Sequence, residues 1–436
     1  MDEFAGVPFV GFGANMNPYL FCRPNWGKGG VNEENAADLE KKIIELAPQH
    51  VRIFFLNSWS QGVGDQFASK GDPRTYASFL RTVRIAAKAG ATVNVTLFFD
   101  PDRWADPASH ARLFAHNLAR MLRDDHLHAI RYITIQNEPD GNPPKGKTNN
   151  ITLPKYVKAY EVFDRILRKE GLRDRVKIIA GDLLSDHQPE WVRYLGPHLA
   201  HIADGYSIHG YWNYWQPQRL LWRLNTTERE FGALPPAEQR PLYITEFGTR
   251  GHQIPTSDPG LYYTGQPIAM NPIQGVENAS FMLKAVNDGF ISLVQWDMYD
   301  AHYDVLMHYG LIGQAAGGWP LKPGYFLMKL MTHTCHPGWR AVRVDGKTRY
   351  VTAAAMKSDN GQMTLWAVNH APRPSVARFS GLEAGKSYHL IYWNNCGGGE
   401  LCDAGEVRTD LSGDVSVYMP FQSVIAVTTL PTMLSN

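Results

Sequence analysis

The sequence predicts an α/β fold, a (β/α)8 barrel with a small C-terminal antiparallel β-sandwich. Eight short apolar runs typical of buried parallel strands follow one another, at residues 7–13, 51–56, 91–98, 131–136, 176–181, 205–209, 242–245 and 291–296. Amphipathic helical stretches separate most of them, at residues 35–47, 75–89, 108–123, 154–169 and 275–287. After residue 339 the pattern changes to about seven short alternating strands, which is typical of a sandwich.

The length of the chain fits this two-part organisation. A chain of 436 residues has room for a barrel of roughly 250 to 350 residues and one smaller module. We therefore expect residues 1–335 to form the barrel and residues 336–436 the sandwich. A doubly wound open sheet is the competing architecture, but it normally carries a third glycine after its first strand. The Gly-Phe-Gly-Ala-Asn segment at residues 11–15 lacks that glycine, so the barrel is favoured.

Composition and charge narrow the class of partner. The chain has 43 basic and 42 acidic residues without long runs of either sign, so neither nucleic acid nor a membrane surface is expected as partner. No apolar run reaches the roughly 18 residues of a membrane span. Most of the 12 Trp, 20 Tyr and 19 Phe are expected in the core, but flat rings can also cover a sugar. The aromatic content therefore supports a carbohydrate as the expected partner but does not by itself establish one. Oligomeric state stays open, as does localisation: secretion with a removed leader and residence in the cytoplasm both fit.

The four cysteines imply no metal site. Cys22, Cys335, Cys396 and Cys402 show no zinc-ligand spacing, and the sequence indicates no cofactor. A disulfide between Cys396 and Cys402 and a pair of free thiols are equally compatible with the spacing.

Two glutamates end two of the strand-like runs. Glu138 closes Ile-Thr-Ile-Gln-Asn-Glu-Pro at residues 133–139, and Glu246 lies in Leu-Tyr-Ile-Thr-Glu-Phe-Gly at residues 242–248. The carboxyl ends of parallel strands meet at one mouth of a barrel, so the two acids are predicted to face each other there. Paired carboxylates of this kind cleave glycosidic bonds, and Asn137 can hydrogen-bond the sugar 2-hydroxyl.

With these motifs in place, residues 5–335 resemble the clan A glycoside hydrolases. The resemblance implies retaining enzymes on a (β/α)8 barrel, with Glu138 as acid/base and Glu246 as nucleophile. It also implies four supporting residues, namely Arg52 against the nucleophile, His209 and Tyr211 framing it, and Trp296 beneath the sugar.

The family within the clan stays open, because features of families 5, 30 and 39 are combined. Strand three ends in Leu-Phe-Phe-Asp, without the histidine that family 5 often carries there. Asp100 or Trp104 is therefore expected on that side of the pocket, and Trp59 completes the candidate substrate-binding residues.

The resulting hypothesis is a retaining glycoside hydrolase acting on β-linked glycosides, oligosaccharides or polysaccharides. Long loops after strands one, seven and eight, at residues 15–32, 249–274 and 297–319, favour a pocket and an exo-acting β-glycosidase. An endo-acting glucanase, xylanase or mannanase and a transglycosylase are the alternatives. A carbohydrate-binding barrel without catalysis is a further one.

Overall fold

The structure is a computed structural model. It describes residues 6–27, 29–63, 71–97, 106–140, 151–184, 188–213, 217–251, 267–303, 306–346, 350–394 and 399–431.

Eight parallel strands form the predicted barrel. They are β1 (Gly11–Ala14), β2 (His50–Phe55), β3 (Thr92–Leu97), β4 (Ile130–Thr134), β5 (Lys177–Leu183), β6 (Gly205–Asn213), β7 (Leu242–Arg250) and β8 (Phe290–Gln295). The hydrogen-bonded order is β1-β8-β7-β6-β5-β4-β3-β2. The barrel prediction is thus confirmed.

Between β1 and β2 the barrel is closed by a close approach of the two backbones. Met16 N–H donates to the Arg52 carbonyl at 2.9 Å, and Gln49 N–H donates to the Phe12 carbonyl at 2.9 Å. A Cβ on Gly13 would lie 1.8 Å from the His50 carbonyl oxygen, so only glycine fits there. The Gly-Phe-Gly segment therefore serves barrel closure.

Eight helices surround the strands in the described residues. They are α1 (Glu33–Leu46), α2 (Thr75–Lys88), α3 (Pro107–Arg123), α4 (Leu153–Lys169), α5 (Gln188–Leu199), α6 (Pro217–Gly232), α7 (Pro272–Asn287) and α8 (Pro323–His333). The five helices predicted from periodicity are present within three residues of their predicted starts. Of the other three, α8 matches a last helix predicted from about residue 322 to 333, whereas α5 and α6 were not predicted from the pattern. A Gly-Pro pair lies inside α5 and an Asn-Thr-Thr run inside α6, and both lower helix propensity.

The C-terminal region forms the predicted antiparallel sandwich. Its strands are β9 (Arg340–Val342), β10 (Val351–Lys357), β11 (Met363–Asn369), β12 (Ser375–Phe379), β13 (Ser387–Asn394), β14 (Leu401–Arg408), β15 (Val415–Met419) and β16 (Ser423–Thr428). Six of them form one sheet in the order β14-β13-β16-β11-β10-β9, and β12 pairs with β15 in a second. The sequence missed β14 because this edge strand has no buried residue, and so no apolar alternation.

The larger sheet packs one face against the barrel. Trp366 and Trp393 are fully buried, and the Trp366 indole N–H donates to Thr334 Oγ1 just after α8. The ring of Trp366 also meets Phe12 of β1 edge-on at 6.0 Å. Both tryptophans are therefore part of the core between the two regions, and we keep residue 335 as the proposed boundary. No described helix is long and apolar enough to cross a membrane.

One buried histidine makes stability depend on pH. His50, at the start of β2, bonds Thr92 Oγ1 through Nδ1 at 2.8 Å, and its ring lies edge-on to Tyr132. Burial lowers the pKa of His50 to about 3. In the unfolded chain this histidine binds a proton near pH 6.5, whereas in the folded chain it stays neutral until about pH 3. The contribution of neutral His50 to the free energy of unfolding is therefore fully present above pH 6.5 and is lost as the pH falls towards 3.

We expect His50→Gln to reduce the pH dependence of the unfolding free energy below pH 6.5 by up to about 1.4 kcal/mol per pH unit. Urea unfolding between pH 7.5 and 5 measures this slope. The exposed His116→Gln variant is the control. Identical slopes in His50→Gln and the native chain would contradict the assignment.

Candidate active site

Glu246 lies within β7 and is held by two donors from other strands of the barrel. Its Oε2 accepts a hydrogen bond from Arg52 Nη1 of β2 at 2.8 Å, and its Oε1 accepts one from the Tyr211 hydroxyl of β6 at 2.5 Å. Both carboxylate oxygens are thus oriented, and the side chain is 8% exposed. The register of the parallel sheet also sets His209 of β6 beside Glu246.

Glu138 follows β4 in the loop and faces the same centre. Its φ of 44° is a left-handed conformation that is unfavourable for a residue with a Cβ and that occurs often at functional sites. Glu138 Oε1 lies 2.9 Å from His209 Nδ1, and its side chain is 28% exposed. One carboxylate oxygen of Glu138, one of Glu246 and one ring nitrogen of His209 all lie within 4.8 Å of one another. The structure therefore brings the two predicted glutamates together.

Arg52 is the buried centre of the hydrogen-bond network. Its five N–H groups meet five acceptors: Nε donates to Thr96 Oγ1, Nη1 to Asn15 Oδ1 and Glu246 Oε2, and Nη2 to Asn137 Oδ1 and Asp182 Oδ2. A fully buried guanidinium is tolerated only when it is paired and hydrogen-bonded in this way. The predicted contact of Arg52 with the second glutamate is present.

Asp182, at the end of β5, is a site residue that was not recognised in the sequence. It is fully buried and accepts hydrogen bonds from Arg52 at 2.6 Å, from Ser207 at 2.7 Å and from Thr245 at 2.5 Å. Its φ of 53° is left-handed, like that of Glu138. The available signal was an acidic residue directly after a predicted strand, the same pattern that identified the glutamates. Asn15 at the end of β1 was missed as well.

The amide of Asn137 is oriented by Arg52. A guanidinium only donates, so the oxygen of the Asn137 side chain must face Arg52 Nη2, as the 2.5 Å contact shows. The amide nitrogen then points away from the guanidinium. Asn137 is thus arranged to donate a hydrogen bond on the side away from Arg52.

The network balances buried charges of both signs. Burial alone would lower the pKa of His209, but Glu246, Asp182 and Glu138 raise it to about 10, which favours the protonated ring. Burial raises the pKa of Glu246, and the positive charges of His209 and Arg52 oppose that rise. Burial also raises the pKa of the Tyr211 hydroxyl well above its usual value, which keeps it a donor.

Aromatic rings form one wall beside these groups. Trp296 directly follows β8, is 9% exposed, stacks on Tyr303 at 4.9 Å and meets Phe54 edge-on at 6.0 Å. Tyr309 belongs to the same cluster, with Tyr211 packed against it. The wall is thus built from the end of β8, the loop after it and Phe54 of β2.

Other predicted site residues are placed differently. Trp59 is 1% exposed and meets Tyr19 and Phe55 edge-on at 5.4 and 5.7 Å. A ring enclosed in this way offers no face to a sugar, so its prediction as a substrate contact is corrected to a core position. Asp100 and Trp104 lie outside the described residues, as does Cys396.

The donor atoms of Glu138, His209 and Glu246 are close enough to hold a metal ion. The chemistry of the surroundings does not favour one. Both Glu246 oxygens already accept hydrogen bonds, one of them from the Arg52 cation. A divalent cation would have to break these bonds beside the buried positive charge of Arg52. We assign the cluster no metal role.

No protein-family model matches the chain, and no curated protein shows significant sequence similarity to it. Its fold is shared with solved glycoside hydrolase structures. An α-L-arabinofuranosidase from Thermotoga maritima and the catalytic domain of GH30 xylanase C from Talaromyces cellulolyticus each superpose with a TM-score of 0.70. They are 13% and 12% identical to this chain, and each alignment covers 98% of both chains. A GH30 endoxylanase from Clostridium papyrosolvens C71 gives 0.66 at 12% identity over 97% of both chains. At such identities the similarity shows the fold.

The network around Asp182 makes a testable contribution to stability. Burial raises the pKa of Asp182, but the charges of Arg52 and His209 outweigh this effect and hold that pKa below its usual range. We expect Asp182→Asn to lower the unfolding free energy by about 3 kcal/mol at pH 7, because Arg52 loses a buried anionic partner. Urea denaturation measures the change.

The control is Asp38→Asn, which removes a half-exposed ion pair to Lys42 within α1. We expect it to cost less than about 0.5 kcal/mol. Equal costs for the two variants would contradict a buried charge network around Asp182.

Proposed function

We propose that this chain is a retaining glycoside hydrolase. The observation that carries the proposal is the pair of carboxylates at the mouth of the barrel, with one oxygen of Glu138 within 4.8 Å of one oxygen of Glu246. Retaining enzymes hold their two carboxyl groups about 5 to 5.5 Å apart, whereas inverting enzymes need about 6.5 to 9.5 Å to admit a water molecule. The short separation supports retention.

The environments of the two acids support different roles. Both oxygens of Glu246 accept a hydrogen bond from a fixed donor, an arrangement that favours the ionised carboxylate. An ionised, oriented carboxylate is suited to attack the anomeric carbon. Glu138 is more exposed and has one oxygen against His209. We therefore assign Glu246 as nucleophile and Glu138 as acid/base.

In the first step the Glu246 oxygen forms a bond to the anomeric carbon while the bond to the glycosidic oxygen breaks. Glu138 gives its proton to the departing oxygen. In the second step Glu138 takes a proton from water, the water oxygen bonds to the anomeric carbon, and Glu246 leaves as a carboxylate. Asn137 donates its amide N–H to the sugar 2-hydroxyl, a bond that strengthens as positive charge develops on the ring.

Trp296 is proposed as the floor beneath the sugar, because it follows β8 directly and stacks within the aromatic wall. His209 and Tyr211 frame the nucleophile, as the resemblance implied. We propose β-linked glycosides as the substrate class. Exo action on a terminal sugar is the first candidate, because the loops after β1 and β8 are long enough to wall off one end.

The solved neighbours favour specific substrates for the first tests. Because they include xylanases and α-L-arabinofuranosidases, the panel begins with aryl β-xylosides, aryl α-L-arabinofuranosides and xylan. Aryl β-glucosides and mannosides, β-glucan and mannan follow. Release of single sugars supports exo action, and release of oligosaccharides supports endo cleavage.

The control is the double variant Glu138→Gln, Glu246→Gln, which preserves the shape of both side chains and removes their chemistry. Hydrolysis by the native chain and none by the control is the expected result. Sugar binding without hydrolysis of any substrate would indicate a non-catalytic barrel. Disaccharide formation from an activated donor in place of hydrolysis would indicate a transglycosylase.

A further inference from the structure

Arg250 ends β7, four residues beyond Glu246, and has no ion pair within the described part of the chain. Its Nε is buried and accepted by no described group. The guanidinium instead lies over the ring of Tyr211, 4.7 Å from the ring centroid. A cation placed over an aromatic face is attracted by the negative charge of that face. Among the described residues, the ring of Tyr211 is therefore a contact that positions the Arg250 guanidinium.

Tyr211 connects this cation to the candidate nucleophile. Its hydroxyl donates to Glu246 Oε1 at 2.5 Å, while its ring meets Tyr309 edge-on at 6.4 Å. A positive charge over the ring draws electron density towards itself, which makes the hydroxyl a stronger donor. Arg250 on its face and Tyr309 at its edge also restrict the movement of the Tyr211 ring. The hydroxyl therefore stays in position to donate to Glu246.

We propose that Arg250 is a positioning residue that acts on Glu246 through Tyr211. It strengthens the hydrogen bond that stabilises the Glu246 carboxylate, both before the attack and when this carboxylate leaves the glycosyl-enzyme. The proposal rests on the proposed function for its catalytic meaning. The physical link between the three side chains is independent of turnover.

The first test measures the titration of Glu246 directly. Carboxyl 13C NMR of protein labelled at glutamate follows each acid with pH, and the Glu246→Gln variant identifies the signal. Four proteins are compared, namely the native chain, Arg250→Met, Tyr211→Phe and the double variant.

We expect Arg250→Met to make Glu246 bind its proton about two- to fivefold more tightly, since the hydroxyl becomes a weaker donor. In the Tyr211→Phe background the same change should have no effect. The phenylalanine ring still attracts the guanidinium, so a packing role or a direct charge effect on Glu246 would persist in that background. An equal effect in both backgrounds, or none in either, would overturn the proposal. Arg250→Lys, which retains a charge, should fall between Arg250→Met and the native chain.

The second test is kinetic. With an aryl glycoside whose good leaving group makes the second step slow, Arg250→Met should lower kcat about two- to fivefold. Glu246 titrates only in the free enzyme, so the acidic limb of the kcat/KM profile should move to higher pH. A rise in KM confined to substrates that carry a carboxylate, without a change in the Glu246 titration, would overturn the proposal and make Arg250 a substrate-binding cation. If the native chain hydrolyses no substrate, the proposed function is wrong. The NMR titration would still decide whether Arg250 acts on Glu246 through Tyr211.

Discussion

Glu246→Ala is expected to reduce hydrolysis by about 10⁴-fold or more, because no other group is placed to form the covalent intermediate. Added azide should restore turnover of an activated aryl glycoside. The anion occupies the space left by the carboxylate and attacks the anomeric carbon from the same face. Its nitrogen bonds to that carbon as the phenolate leaves with the bonding electrons. The product is a glycosyl azide of inverted configuration, identified by proton NMR.

The matched control is Glu406→Ala, which removes an exposed glutamate from β14. It should retain native activity with and without azide. Full activity in Glu246→Ala would refute its role as nucleophile. A rescued product of retained configuration would transfer that role to another residue.

Glu138→Ala has the second largest expected effect, and it depends on the leaving group. Loss of a general acid costs about 10²- to 10⁴-fold for substrates whose leaving oxygen needs a proton. A dinitrophenyl glycoside needs little protonation, so its first step should remain fast and the glycosyl-enzyme should accumulate as a burst of phenolate. Stopped-flow absorbance measures the burst, and intact-protein mass spectrometry measures the added sugar.

Azide should rescue Glu138→Ala too, but with the opposite stereochemistry. Here azide attacks the glycosyl-enzyme formed on Glu246, so two inversions give a glycosyl azide of retained configuration. The two variants, treated identically, thus yield opposite anomers. The same anomer from both would show that the roles of Glu138 and Glu246 are not those assigned.

The barrel and its two glutamates could be predicted because short, local sequence patterns indicate them. Buried parallel strands leave continuous apolar runs, and Glu138 and Glu246 stand where two such runs end. Asn137 directly precedes Glu138. The resemblance to the clan A glycoside hydrolases, and not the local pattern, implied Arg52, His209 and Tyr211, which also lie on strands. Strand pairing then brings them to one mouth, since β6 and β7 align His209 with Glu246.

Other parts of the site depend on contacts that are remote in the chain. Asp182 directly follows a predicted strand, but its part in the site depends on Arg52, 130 residues away, which donates to it. Trp59 had the residue type of a sugar-binding ring, but its burial against Tyr19, 40 residues away, comes from tertiary packing. The edge strand β14 and the helices α5 and α6 lacked the apolar period or the propensity that sequence patterns require. The link from Arg250 to Tyr211 joins two strands and leaves no trace in local sequence.

The most direct test of the central claim is the anomeric configuration of the first product released by the native chain. Proton NMR of an aryl glycoside or oligosaccharide hydrolysis, recorded before mutarotation, distinguishes the two anomers. A double displacement through Glu246 predicts a product with the configuration of the substrate. An initial product of the opposite configuration would contradict the retaining mechanism and the role of Glu246 as nucleophile.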